Sequence, residues 1–146
     1  MSQTPKQSPN PSGVQVHAGG CHCGAVRYEA KLDLSTGASR CNCSICQKVG
    51  STGMGGKPGM VRVVKGEEHL STYAVGDSPN KRFFCKHCGI HLFGKGDVPE
   101  LGGAFESVNI NTLDDVELSA MQIGYWDGRH DNWQAGLRPQ PWPVHA

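Results

Sequence analysis

No run of apolar residues in this sequence approaches the roughly 18 positions that a membrane-spanning helix needs. The opening stretch, MSQTPKQSPNPSG, lacks the apolar segment of a secretory signal, so a cytoplasmic location is expected. A dominant charge sign is also missing. Lys and Arg number 14 and Asp and Glu 13, for a formal +1 at pH 7. That balance offers no field to draw in nucleic acid or an anionic membrane surface. Aromatic residues are scarce at 7%, and charged residues are only 18%. Gly and Pro are abundant instead, at 20 and 9 of 146 residues. Together they make up about a fifth of the chain, against an average of about 12%. Both residues break helix interiors, which excludes a helix bundle and favours short strands joined by turns. The length suits one domain, and the expected division is a disordered tail over 1–12 and a single domain over 13–146.

Local patterning places the elements. Residues 25–30 alternate, with Val26 and Tyr28 on one face and Arg27 and Glu29 on the other, which predicts a half-buried strand. Ser44–Val49 reads as one or two helical turns, with Ser44 as N-cap and Gly50 as the stop. Strands are expected over 60–65, 70–75, 104–110 and 118–126. Residues 81–85 and 90–93 read as the arms of a cysteine hairpin. The segment from Asp127 onward, with Trp133 and Trp142, reads as irregular chain packing through its tryptophans.

The seven cysteines carry the chemistry. An odd number cannot all pair within one chain, and a reducing compartment favours metal-bound thiolates. They fall into a CxC (Cys21, Cys23), a CxCxxC (Cys41, Cys43, Cys46) and a CxxC followed by glycine (Cys85, Cys88, Gly89). In an extended segment, residues i and i+2 face the same way, so a CxC presents its sulfurs together. A CxxC before glycine is a zinc-knuckle pattern, in which backbone N–H groups turn toward the sulfurs. Structural zinc takes four ligands, and only CxC plus CxxC makes four with each group kept whole. Three thiolates then remain at Cys41, Cys43 and Cys46, the number that leaves a zinc with one open position. The same three could instead form a site closed by His22, His87 or His91, or serve as redox thiols.

Three strings bear a specific resemblance: Gly20–Tyr28 (GCHCGAVRY), Cys41–Lys48 (CNCSICQK) and Phe83–Gly89 (FFCKHCG). They resemble the glutathione-dependent formaldehyde-activating enzyme family, which also includes centromere protein V. The later segments Asp127–Trp133 and Pro141–Pro143 resemble the ending of many bacterial members. The resemblance implies an all-β zinc-binding fold of the Mss4-like type. It implies a structural zinc on Cys21, Cys23, Cys85 and Cys88, and a catalytic zinc on Cys41, Cys43 and Cys46. The implied reaction joins glutathione and formaldehyde into S-hydroxymethylglutathione, and its reverse is carbon–sulfur lyase chemistry.

The chemistry is physically sensible. A free thiol is mostly protonated at neutral pH, and an open zinc position binds and ionises it. Phe105, Tyr125 and Trp133 are expected near that position, because aromatics line small-molecule pockets. With seven thiolates and two zincs bound, the net charge turns negative, which weakens the case for nucleic acid further. The rival readings are a related zinc enzyme for another small thiol or aldehyde, and a non-catalytic zinc module that binds a macromolecule. The latter would be expected to carry a basic extension, whereas the expected tail holds a single lysine, Lys6.

Overall fold

Alternation dominates the first half of the chain. In the computed structural model, which describes residues 10–145, Tyr28, Ala30 and Leu32 are buried while Arg27, Glu29 and Lys31 face outward. Ten strands follow in order: β1 Gln15–Gly20, β2 Arg27–Leu32, β3 Ala38–Cys41, β4 Gly53–Gly56, β5 Val61–Lys65, β6 Leu70–Tyr73, β7 Lys81–Cys85, β8 His91–Val98, β9 Gly103–Asn109 and β10 Ile123–Trp126. The one α-helix, α1, spans Ser44–Val49 and ends at Gly50 in the left-handed conformation, as the sequence predicts. The mostly β architecture expected from composition is therefore the observed one.

The strands form two sheets. The smaller has the order β1-β2-β5, and the larger the order β10-β3-β4-β9-β8-β7-β6. All pairings are antiparallel except β10 with β3. The expected strands over 60–65 and 70–75 are β5 and β6, but they belong to different sheets. The sheets meet at an apolar core. Tyr28 of the small sheet lies 5.8 Å from Phe93 of the large one, and Phe93 stacks on Phe83 at 5.0 Å. The Tyr28 hydroxyl is paired with Thr112 Oγ1 at 2.6 Å, so its burial leaves no unpartnered oxygen.

Three expectations change. Residues 118–126 are not one strand: Leu118–Ala120 make a 3-10 turn and only Ile123–Trp126 extend. Residues 1–9 of the expected tail lie outside the described residues, but Asn10 is buried and grips the chain. Its amide donates to the Glu117 carbonyl at 3.0 Å and accepts from the Glu117 N–H at 2.9 Å, a two-way pairing that ties it down. The C-terminal segment after Asp127 is built from 3-10 turns at Gly128–His130 and Trp133–Ala135. It does pack through tryptophans: Trp133 lies 5.9 Å from Trp126, and Trp142 donates to the Tyr125 carbonyl at 2.8 Å.

Candidate metal centres and cavity

Two cysteine clusters form, with the partition that ligand counting predicts. The sulfurs of Cys21, Cys23, Cys85 and Cys88 all lie within 4.8 Å of one another, and so do those of Cys41, Cys43 and Cys46. No histidine joins either cluster among the described residues, so His22, His87 and His91 do not close the three-sulfur group. His87 is paired instead with His69, Nε2 to Nδ1 at 2.9 Å.

The four-sulfur cluster joins the chain just after β1 to the β7–β8 hairpin. Cys85 is fully buried and Cys21 nearly so. The CxC is a turn rather than an extended segment, closed by the Gly24 N–H on the Cys21 carbonyl at 3.2 Å. The turn still brings the Cys21 and Cys23 sulfurs to 3.6 Å. Each half offers an N–H to sulfur: Val26 to Cys21 at 3.3 Å, and His87 to Cys85 at 3.4 Å. Gly89, at φ +77°, turns the chain back into β8. The set is all sulfur and four in number, which fits a tetrahedral zinc.

The three-sulfur cluster sits at the end of β3 and the start of α1. Cys43, not Ser44, is the N-cap, its sulfur accepting from the Cys46 N–H at 3.5 Å. Cys41 accepts from the Cys43 N–H at 3.4 Å. From β7, the Arg82 guanidinium donates to the Cys46 sulfur at 3.4 Å. Hydrogen bonds from the Cys41 and Cys46 thiols, with the Cys46 N–H and the Arg82 charge behind them, pull the Cys43 thiol far below its usual range. Cys41 and Cys46 are pushed up as the partners that keep their protons. Three touching sulfurs can all be thiolates only with a cation among them, so the donor set itself fits a metal ion.

Neighbouring chain holds this loop. Asn42 donates to the buried Asp127 carboxylate at 2.8 Å, and its side-chain oxygen accepts from the Arg129 N–H at 2.9 Å. Asp127 also accepts from His130 Nδ1 at 2.7 Å and from Asn132 at 3.2 Å. Gly128 lies so close that a β-carbon there would stand 2.5 Å from the Cys41 sulfur and 2.8 Å from the Trp133 ring.

The three sulfurs open onto a cavity of about 370 Å³. Phe105, Trp126 and Trp133 line it, as do Lys81, Arg82 and Lys95, and among the described residues no carboxylate does. Two of the three expected aromatics are therefore present. Tyr125 is not, because it precedes the lining residue Trp126 on β10 and successive strand residues face opposite ways. Sequence reasoning missed the cations: Lys81 and Arg82 come from β7 and Lys95 from β8, where Lys81 and Lys95 are register partners, a pairing that spacing along the chain does not give.

The protein is mostly β and carries one four-sulfur and one three-sulfur cysteine cluster, each of which could hold a metal ion, the latter open to a cationic cavity. The chain belongs to the glutathione-dependent formaldehyde-activating enzyme family, whose model matches residues 16–128. It is 37% identical over 149 aligned positions to a Halomonas elongata protein provisionally named as a glutathione-dependent formaldehyde-activating enzyme, covering 82% of this chain and 94% of that one. It also resembles the crystal structure of a Rhodobacter sphaeroides protein, with a TM-score of 0.62 and 33% identity, over 70% of this chain and 92% of that one. No helix among the described residues is long and apolar enough to cross a membrane.

Proposed function

We propose that this chain is a cytoplasmic enzyme adding the glutathione thiol to formaldehyde, giving S-hydroxymethylglutathione, and running the reverse as a carbon–sulfur lyase. Cys21, Cys23, Cys85 and Cys88 hold one zinc, and Cys41, Cys43 and Cys46 hold another. The observation that carries this reading is the three-sulfur cluster at the wall of a 370 Å³ cavity lined by cations and free of carboxylates. Zinc bound there supplies an open coordination position that takes up a thiol as thiolate.

The chain's own residues account for the rest. Glutathione carries two carboxylates, and Lys81, Arg82 and Lys95 are the cations that line the cavity. In such a site opposite charges attract more strongly than in water. Arg82 has a second duty, because its guanidinium already donates to the Cys46 sulfur and steadies negative charge on the cluster. Phe105, Trp126 and Trp133 form the apolar wall and displace water from the reacting sulfur and carbonyl. The volume is within the about 300–1,000 Å³ usual for small-molecule sites.

Two measurements test the reading. Metal analysis of protein purified under reducing conditions should approach two zincs per chain. Two-dimensional exchange NMR on glutathione and formaldehyde should show faster exchange into the adduct with the zinc-loaded protein. A firm single zinc, or no acceleration over the protein-free mixture, would remove the proposal.

A further inference from the structure

Adding a thiol to an aldehyde moves one proton from sulfur to oxygen. The residues described so far leave that proton without a carrier. Among the described residues, the lining of the reactive cavity contains thiols, lysines, an arginine, hydroxyls and amides, but one imidazole and no carboxylate. The imidazole is His91, the first residue of β8. Lysine and arginine hold their protons too firmly near neutrality to exchange them in turnover, whereas histidine exchanges readily there.

The surroundings of His91 are those of a held but unused side chain. Its ring stacks on Phe84 at 5.2 Å, tilted by only 16°. Its carbonyl accepts from the Asn109 amide at 2.9 Å. Those contacts fix the ring's position but leave its nitrogens free. No protein hydrogen bond reaches either nitrogen among the described residues, and Nδ1 is buried without a partner. Buried polar side chains are usually hydrogen-bonded, so an unpartnered ring nitrogen beside a cavity is open to a ligand. His91 also lines a second, more open cavity of about 650 Å³, bounded by His22, Lys48 and Asn111. It is therefore the wall between the reactive cavity and a polar space outside it. Charged and titratable groups face it from several elements. Lys81 and Arg82 come from β7, Lys95 from β8, Cys46 and Lys48 from α1, Cys41 and Cys43 from the β3–α1 loop, and His22 from the first cysteine turn.

We infer that His91 is a catalytic residue, the carrier of the proton between the thiol and the aldehyde oxygen. The inference rests on the function proposed above. Nδ1 is shut off from solvent, so Nε2 is the nitrogen that trades a proton. In the forward direction the thiol proton passes to Nε2 as the thiol enters as thiolate, and the sulfur lone pair then bonds to the carbonyl carbon. The carbonyl π pair moves onto oxygen, and the imidazolium returns the proton there. The product is the hydroxymethyl thioether, and the imidazole ends neutral as it began. Burial and the Arg82 charge hold the ring's pKa below the ordinary value, so it starts as the neutral base.

The test uses the zinc-loaded full chain. His91→Gln keeps a polar side chain of similar reach, and His91→Gly leaves a ring-sized gap. General acid–base groups contribute about 10²–10⁴-fold, so both variants should lose that much exchange rate. Zinc content, the thermal melt and the tryptophan response to glutathione should stay as in the parent. Added imidazole should restore His91→Gly in a saturable way while leaving His91→Gln and the parent unimproved. A His91→Gln rate within about threefold of the parent overturns the inference, as does zinc or thiol binding lost in step with the rate. Absence of acceleration by the parent chain is a different result, because it removes the proposed function itself.

Discussion

The two sulfur clusters differ in what they join. The four-sulfur cluster ties residues more than sixty positions apart, with Cys23 and Cys85 sulfurs 3.6 Å from each other. Its members flank the core, where Cys85 is fully buried near Leu92, Val26 and Tyr28. The three-sulfur cluster is local, within six positions, and every member is half-buried. Its support comes from outside: Arg82 on β7, and the Asp127–Asn132 turn. A metal in the first place would act as a long-range staple. In the second it would rest on a scaffold that already exists without it. Loop-closure entropy favours the first as the contributor to stability, because a long loop is held shut.

The largest effect should come from breaking the staple. Structural zinc binding in small peptides is worth about 10–16 kcal/mol, and a whole domain is stable by only about 5–15 kcal/mol. Cys85→Ser should therefore unfold the chain or leave it insoluble, as seen in circular-dichroism melts and soluble yield. Cys46→Ser should lose one zinc and all exchange activity yet keep a cooperative melt. The opposite pattern, with Cys46→Ser unfolded and Cys85→Ser folded and active, would invert the assignment of the two centres.

A smaller effect is expected where the scaffold presses on the local cluster. Gly128→Ala drives a methyl group against the Cys41 sulfur and the Trp133 ring. Overpacking of this kind costs about 1–3 kcal/mol. Occupancy of the second zinc should fall while the first is untouched, as metal analysis after mild chelation would show. Unchanged retention of both zincs would mean the turn yields freely.

The smallest effect on the fold belongs to the cation beside the sulfur, whose loss is felt in binding. Hydrogen bonds to charged groups contribute about 1.5–3 kcal/mol, near tenfold or more in affinity. Arg82→Gln should raise the KM for glutathione by about tenfold with a smaller change in kcat and no change in melting. A change confined to kcat would move Arg82 from substrate binding to the reacting atoms.

How much of this was legible in the chain depends on where the information lies. α1 is set by local signals, a polar cap region and a stopping glycine, and its bounds are as read. The hairpin arms were read over 81–85 and 90–93 from short runs around the CxxC; the first matches β7, while the second runs on to Val98. β4, Gly53–Gly56, was not legible, because GMGG has almost no strand pattern. It exists through its neighbours, pairing with β9 along its length and with β3 at Gly53. β10 was overextended because Leu118–Ala120 is apolar enough to read as strand, yet it closes a 3-10 turn. At the site, the cysteine partition followed from ligand counting. The N-cap was misplaced by one residue because a thiol accepted the N–H that a serine hydroxyl usually takes. Arg82 stayed invisible, and Asp127 and His91 were named without their contacts, because those lie between distant segments, which one-dimensional spacing does not encode.

The parallel pairing of β10 with β3 sets an order of assembly. Ribosomes deliver the CxCxxC segment some eighty residues before the Trp126–Trp133 region that walls its cavity. The four sulfurs of the other cluster are all present once Cys88 has emerged. During synthesis the staple can close first, while the three reactive sulfurs stand open to the cell with no aromatic wall and no Gly128 turn behind Cys41. The cavity is thus among the last parts of the molecule to come into being. A nascent chain halted before residue 126 would carry the thiols without the chamber that disciplines them.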